Sequence, residues 1–454
     1  MQLEIVVLAA GRGARMQSDL PKVLHPLAGT PLIGHVLKTA TLLSPSKLHV
    51  VVGYGAEKVK TACADFPVNW VFQKEQFGTG HAVLQALPHI NPASSVLVLY
   101  GDVPLISEKT LRQLIDKAGS GSAVLTANID DPAGYGRVIR DQAGCFERIV
   151  EDKDATPRER QVDEINTGVL VTSVAYLNTY LPSVTSDNQQ GEYYLPDILS
   201  QLVKDKQQIF TVNASPQEIL GINDKVQLAN AESIIRATRA RALMDLGVTL
   251  IDPSRVDIRG DVKCGSDVVI DINVILEGHV VLDDKVNVGA NSCISDSTIG
   301  AGTVIHPMST IEGATIEASC SIGPFARIRQ GTKLAPDAKI GNFVETKNTS
   351  IGEASKASHL AYLGDAKIGS SSNIGAGTIT CNYDGVEKHI TEIGDNTFVG
   401  SNSTLVAPLK IAEDAFVSAG STVTKDVASK ELALGRSSQR NVSGWKRPQK
   451  KKPS

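Results

Sequence analysis

The chain has 454 residues, enough for two or three domains. With 42% hydrophobic and 21% charged residues it has the balance of an ordinary globular protein, and a net charge of −4 argues against a surface built wholesale for nucleic acid. No stretch is apolar enough to span a bilayer, and the six cysteines show no C-x-x-C spacing, which predicts free thiols in a reducing, cytoplasmic compartment and no zinc site.

The first predicted element is the apolar run Ile5–Ala10. Glu4 breaks it on one side and a glycine loop on the other, and no basic leader precedes it, so it reads as a buried strand rather than a secretion signal. Similar runs follow at Leu48–Val52, Val68–Phe72, Ser95–Tyr100, Ala123–Ala127 and Gly168–Thr172, with helix-like stretches at His81–Leu87 and Lys109–Lys117 between them. Strands alternating with helices predict a doubly wound α/β, Rossmann-like domain over residues 1–224. Ligands of such sheets sit at the carboxyl ends of the strands, which directs attention to the residues just after each run.

After the first run the chain reads Gly11-Arg12-Gly13-Ala14-Arg15-Met16, then Pro21-Lys22. Glycines at a strand end let backbone N–H groups approach phosphate oxygens, and Arg15 and Lys22 bring positive charge. A lone G-x-G is weak, but the string LAAGRGARMQSDLPK resembles the signature of the sugar-phosphate nucleotidyltransferases. That resemblance implies that Leu8, Ala9, Ala10, Gly11 and Lys22 bind UTP or UDP-N-acetylglucosamine, with Arg15 and Lys22 catalytic, Arg15 at the triphosphate and Lys22 near the sugar phosphate or the α-phosphate. It implies that Gln73, Gly78 and Thr79 read the uracil. Tyr100, Gly101 and Asp102 would end the next strand at the nucleotide, and Gly136, Glu151 and Asn166 would contact the sugar. Asp102 and Asn223 would hold Mg²⁺, a pairing of hard oxygens that suits the ion. Singly these residues have dull explanations: Asp102 as a strand-end turn former, Glu151 as an exposed carboxylate, Lys22 as a surface lysine. The order in which they occur is what carries the reading.

From Asp224 to Gly247 the pattern is rich in Ala, Leu and Arg, free of proline and closed by a glycine, predicting one long helix; residues 225–248 are read as a linker, the alternative being a last helix packed wholly on the α/β sheet.

Within residues 249–454, read as one domain, the chain beats with a period of six from Val262 to Val423: Val262, Val268, Val274, Val280 and Val286; then Ile299, Ile305 and Ile311; then Ile322, Ile328, Leu334 and Ile340; finally Ile393, Val399, Leu405, Ile411, Val417 and Val423. Six steps scatter side chains round an α-helix but keep them on one side of a strand, so the pattern predicts short strands stacked as a parallel β-helix rather than a valine-rich β-domain. Small residues two before the beat, Thr397, Ser403, Ala415 and Ser421, suit coil corners. The region resembles the hexapeptide-repeat acyltransferases, which implies a left-handed coil where the usual crossover rule favours the right hand.

The rhythm lapses between Ile351 and Ile368, and the intervening GEASKASHLAYLGDAK is expected to be a loop expelled from the coil, carrying His359 and Tyr362. The strings HLAYLGDA and NIGAGTITCNYDG resemble the acetyltransferase half of the bacterial bifunctional N-acetylglucosamine-1-phosphate uridyltransferase/glucosamine-1-phosphate acetyltransferases. The resemblance then covers the whole chain. It implies His359 as general base, with Arg329, Lys347, Tyr362 and Asn373 on glucosamine 1-phosphate. Ala376, Asn382, Tyr383, Ser401, Ala419 and Arg436 would bind acetyl-CoA, in a homotrimer that takes only small-molecule substrates, with no nucleic-acid or membrane partner. The rivals are a uridylyltransferase whose coil is only an oligomerisation scaffold, and a non-catalytic regulatory relative. The basic tail from Lys446 reads as solvated, or as an aid to phosphate binding beyond Arg436.

Overall fold

The computed structural model describes residues 2–448 and divides into two compact units, Met1–Arg236 and Ala237–Ser454. The tail beyond Pro448 lies outside the described residues.

The strands of the first unit are β1 (Leu3–Ala9), β2 (Lys47–Val52), β3 (Asn69–Phe72), β4 (Ser95–Tyr100), β5 (Ser122–Asn128), β6 (Arg137–Arg140), β7 (Phe146–Val150), β8 (Glu164–Ser173) and β9 (Ile209–Asn213). They form one sheet in the order β9-β5-β8-β4-β1-β2-β3, with the β6–β7 hairpin attached to β8. Both faces are covered, which is why β1 shows no polar alternation: Ile5, Val7 and Ala9 join one core while Val6 and Leu8 join the other. The sheet is not wholly parallel. β8 runs antiparallel to both β4 and β5, because the chain re-enters from the β6–β7 hairpin instead of through a crossover helix.

Helix α1 spans Leu32–Leu42, α2 Ala56–Ala62, α3 Thr79–Ala86, α4 Glu108–Ala118, α5 Val174–Tyr180, α6 Asp197–Lys204 and α7 Lys225–Asp245. Residues Ala231 and Ile235 of α7 pack with Met16 and Leu32 in the first unit. Further along the same helix, Ala240 and Leu243 join Val248 and Leu250 in the core of the second.

The second unit is a left-handed parallel β-helix. One face is an 11-stranded ladder of short parallel strands, and the other two faces join in a 17-stranded sheet through Val256–Cys264 and Val274–Leu282, paired in register at Gly260 and Gly278. The regular coils return after 17 or 18 residues: Val256 pairs with Val274, Cys293 with Thr310, Ser321 with Lys339. The six-residue beat falls inward as expected, with Val268, Val274, Val280, Ile305, Ile322 and Val399 fully buried; Val262 is the partly exposed member. The corners turn through left-handed residues such as Asn396 (φ 52°), Asn402 (φ 56°) and Asp414 (φ 57°). The small residues that follow them are buried, Ser403 donating to the Gly400 carbonyl at 2.6 Å and Thr397 to that of Ala412 at 3.1 Å. This closes corner carbonyls that a purely aliphatic residue would leave without a side-chain partner.

Residues 352–367 correct the sequence reading, for they are not expelled. Lys356–His359, Tyr362–Gly364 and Ala366–Ile368 are coil strands, and Glu345 pairs with Tyr362 at the normal step. The beat continues there, with Ala357, Leu363 and Ile368 buried in the inward positions and the small Ala357 interrupting the aliphatic run. The true insertion comes one coil later. Ala366 pairs with Thr391, Asn373 with Phe398 and Ile379 with Thr404, each 25 residues on, so residues 382–390 bulge out between Cys381 and Thr391.

Stacked coils leave no room for a side chain where a glycine faces its neighbour. A Cβ on Gly341 would lie 1.9 Å from the Ser358 carbonyl oxygen. Gly341→Ala is therefore expected to destabilise the β-helix by about 1–3 kcal/mol, the usual cost of overpacking. Thermal unfolding measures it, and an unchanged midpoint would show that the coils separate freely.

Candidate active sites

In the first unit the expected residues gather at the strand ends. Leu8, Ala9, Ala10, Gly11, Lys22, Gln73, Gly78, Thr79, Tyr100 and Asp102 line a single cavity, joined by Val23, Gln76, Ala82 and Glu192. The two glycines of the loop do different work. A Cβ on Gly11 would meet nothing within 4 Å, whereas Gly13 adopts φ 69° and a Cβ there would lie 2.5 Å from the Lys22 Cβ. Gly13 thus allows Lys22 to fold back over the loop.

The Lys22 ammonium donates to Asp102 Oδ2 and, at 3.1 Å, to Asn223 Oδ1. Asp102 lies in the turn two residues past the end of β4, and the Ile222 N–H donates to the Asp102 carbonyl at 2.9 Å, which fixes the segment carrying Asn223 beside the strand end. Two oxygens from distant parts of the chain therefore converge on one positive point. That arrangement fits a hard divalent cation, which takes oxygen ligands and keeps positions for water and phosphate. Among the described residues no group of three or more His, Cys, Asp or Glu could hold a metal ion, so the protein's share of such a site is small.

The Tyr100 hydroxyl is bonded to Thr79, whose own Oγ1 accepts from the Leu195 N–H at 3.1 Å. Burial raises the Tyr100 phenol above its ordinary range, with Glu151 and Asp102 adding to the effect. Gly101 continues the ladder, its N–H donating to the Leu8 carbonyl at 2.9 Å. Gly136, Glu151 and Asn166 are brought together without lining the cavity itself. A Cβ on Gly136 would lie 3.0 Å from Glu151 Oε1, and the Asn166 N–H donates to the Gly136 carbonyl at 2.8 Å. The Asn166 side chain accepts from the Gly168 N–H, and Gly168 abuts the Tyr100 ring. Arg15 is not brought in: it is exposed in the short turn Ala14–Met16 and does not line the cavity.

The sequence reading missed a group of acids around Glu151. Burial pushes the Glu151 carboxyl up to about 6, helped by Asp197, Asp154, Glu192 and Asp152, and burial followed by Asp154 pushes Asp197 to about 6. These residues lie on three separate segments, and no motif links them.

In the β-helix, His359 and Asn342 occupy paired positions of adjacent coils, and His359 Nδ1 is 2.7 Å from Asn342 Oδ1. An amide oxygen only accepts, so Nδ1 is the donor, and in the neutral ring Nε2 is left as the acceptor. Asn342 was not foreseen, since its relation to His359 exists only through coil stacking. Arg329 pairs with Glu345 at 2.8 Å. Lys347 is held below the usual lysine range by Lys388 and then by Arg329, so three cations converge. Lys388 was also missed. It comes from the 382–390 insertion, whose turn is fixed by Asp384 accepting from the Val386 and Glu387 N–H groups and from His389.

Asn382 is buried and donates to Asp365, which also accepts from Asn348 at 2.6 Å. This places Asn382 with the Lys347 group. Tyr383 is exposed, its hydroxyl donating to the Gly385 carbonyl at 2.6 Å. Tyr362 is half-buried beside Gly364, where a Cβ would lie 2.5 Å from its hydroxyl, and Asn373 is half-buried in the adjoining ladder. Ala376, Ser401 and Ala419 fall in line on successive coils: the Asn402 N–H donates to the Ala376 carbonyl at 2.7 Å, and the Gly420 N–H to that of Ser401 at 2.8 Å. Arg436 comes next, its Cδ 3.9 Å from where a Cβ on Gly420 would be.

Residues 5–163 match the family model of the MobA-like NTP transferase domain. The chain is 51% identical over 453 residues to the bifunctional protein GlmU of Stutzerimonas stutzeri, covering 99% of this chain and 100% of that protein. It belongs to the GlmU family. Equally full-length relatives are the GlmU proteins of Marinobacter nauticus (50% identical, 99% of both chains) and Burkholderia vietnamiensis (52%, 99% of this chain and all of that one). In this GlmU-family chain the α/β site and the coil site are each built within one unit.

The raised acid predicts a pH dependence. A carboxyl whose folded pKa (about 6) exceeds its ordinary value of 4.5 favours the native state below about pH 4.5, and that favour is lost as pH rises through 6. Glu151→Gln is therefore expected to be more stable than the parent by on the order of 1–2 kcal/mol near pH 8 and to show no such gain near pH 4. Urea denaturation at the two pH values tests this; a gain at neither would remove the burial cost assigned to Glu151.

Proposed function

We propose that the chain makes UDP-N-acetylglucosamine in two steps. The β-helix acetylates glucosamine 1-phosphate from acetyl-CoA, and the α/β domain then joins N-acetylglucosamine 1-phosphate to UTP with release of pyrophosphate. The observation that carries this reading is the presence, in a chain matched end to end by bifunctional relatives, of two separate sites with the groups these two reactions need. Residues 1–224 take the uridylyl step, 249–454 the acetyl step, and 225–248 connect them.

In the acetyl step the sugar amine must lose a proton to attack the thioester carbonyl. His359 Nε2, freed as an acceptor by Asn342, takes it. Arg329, Lys347 and Lys388 neutralise the sugar phosphate, with Tyr362 and Asn373 orienting the ring. The backbone at Ala376 faces the developing oxyanion. The ladder Ala376, Ser401, Ala419 and Arg436 receives the coenzyme along the coil, with Asn382 and Tyr383 at its sugar end and the arginine toward its phosphates.

In the uridylyl step a sugar-phosphate oxygen, already ionised near neutral pH, attacks the α-phosphorus of UTP in line. Positioning and charge neutralisation do most of the work, and no general base is required. The Leu8–Gly11 backbone cradles the phosphates, Lys22 neutralises them, and Gln73, Gly78 and Thr79 take the base; Glu151, Asn166 and Gly136, gathered outside that lining, take the sugar, and Arg15, exposed in the free chain, would have to swing in to reach the phosphates. Mg²⁺ held by Asp102 and Asn223 would supply further charge neutralisation when bound, with Lys22 then turning to the phosphates. We further propose a cytoplasmic homotrimer. No described helix is long and apolar enough to cross a membrane.

The two steps should separate by mutation. His359→Ala is expected to lower CoA release from acetyl-CoA and glucosamine 1-phosphate, with UTP omitted, by ~10²–10⁴-fold while pyrophosphate release from UTP and N-acetylglucosamine 1-phosphate stays near normal. Asp102→Ala is expected to do the reverse. Parallel loss of both activities in either variant would defeat the two-site reading.

A further inference from the structure

Gln73 is 2% exposed and lines the nucleotide cavity. Two neighbours set the orientation of its amide. Gln73 Nε2 lies 2.9 Å from His81 Nδ1 and 3.5 Å from the Gly78 carbonyl oxygen. A carbonyl oxygen cannot donate, so the amide nitrogen belongs on that side. His81 Nδ1 must then accept, which puts the ring proton on Nε2. Nε2 in turn sits 3.2 Å from the Gln85 amide nitrogen. A neutral imidazole accepts at only one nitrogen, so Gln85 must present its oxygen there, and it is free to do so by rotating its amide. The imidazole is itself held by Phe77 at 5.3 Å and Tyr193 at 6.5 Å between ring centroids.

We propose that His81 is a positioning residue for base selection: through its tautomer it locks Gln73 with the carbonyl oxygen toward the base, an acceptor for the N3–H of uracil. The inference rests on the uridylyl-transfer reading and deepens it. Cytosine offers a lone pair at N3 where uracil offers a hydrogen. To serve cytosine, Gln73 would have to turn its NH₂ inward and its oxygen toward His81. His81 would then have to move its proton to Nδ1 and give up the proton offered to Gln85, while the Gly78 carbonyl would face another oxygen. The flip thus places acceptor against acceptor at the Gly78 carbonyl and requires His81 and Gln85 to shift proton and amide together, and His81 touches neither substrate nor reacting atoms.

The geometry separates two conservative replacements. An asparagine at this position puts an amide oxygen near the place of Nδ1 and can still accept from Gln73. A glutamine reaches toward the place of Nε2 and leaves Gln73 without that acceptor. The experiment measures kcat and KM for UTP and for CTP with N-acetylglucosamine 1-phosphate, on the full chain and on His81→Asn and His81→Gln. CoA release in the acetyl step serves as a control on the rest of the protein. The expected result is that His81→Asn keeps the parental UTP:CTP ratio of kcat/KM to within about threefold. His81→Gln is expected to lower it about tenfold or more, mainly through KM for UTP, as loss of one oriented hydrogen bond implies. Equal ratios in the two variants, or a parental ratio retained in His81→Gln, would overturn the proposal. A parent chain that releases no pyrophosphate from UTP would instead overturn the uridylyl-transfer reading itself.

Discussion

The β-helix depends on one constraint: each regular coil must return to the same place after 17 or 18 residues with a side chain of acceptable size pointing inward. Parallel strands hydrogen-bonded to the coils above and below leave little freedom in that return, since a shift of one residue would turn the buried row outward. The alignment of Ala376, Ser401 and Ala419 is a product of this repetition and needs no further device. So is the meeting of His359 with Asn342, which are neighbours only because the coils stack in register. Extra residues can leave the coil without cost to the stack only at a corner, and the 382–390 insertion does so, carrying Lys388 toward Lys347.

The α/β domain reaches convergence by another route. Parallel strands all end on one side, so a loop after β1, the end of β4 and the segment before α7 meet without being close in sequence. Lys22 completes the junction, its ammonium shared between Asp102 and Asn223. Removing it would leave the carboxylate with no cation among its described contacts, which is why a lysine read as a surface residue in isolation has a different meaning in the fold.

Legibility in the sequence followed the physics of each element. Buried parallel strands announce themselves as continuous apolar runs, and Ser95–Tyr100 was legible to the residue. The antiparallel β8 was not distinguishable, because strand direction depends on the connection and leaves no mark on the composition of the run. The six-residue beat was legible wherever Val, Ile or Leu carried it. It was lost at Ala357, where a small residue still faces inward, and the mistake moved the apparent loop by a coil. Site residues that belong to a local string, such as Gly11 or Lys22, could be found. Asn342, Lys388 and His81 could not, because each acts through a partner supplied by the tertiary fold.

The electrostatics of the two sites differ in a way that suits their tasks. Around Glu151 the fold gathers acids, and partial burial together with their mutual repulsion raises the carboxyls of Glu151 and Asp197 to about 6. Around Lys347 it gathers cations near the surface, where solvent moderates their repulsion. An anion entering there relieves the repulsion among Arg329, Lys347 and Lys388, so part of its binding free energy is already stored in the free site. His359 needs the opposite environment, a neutral ring with one defined acceptor. Asn342 provides it with a single amide oxygen that orients the imidazole and adds no charge. A carboxylate in that position would stabilise the protonated ring and pull the base away from neutrality. An uncharged partner therefore fixes the ring of His359 by a hydrogen bond alone, whereas Arg329, Lys347 and Lys388 act on one another through charge.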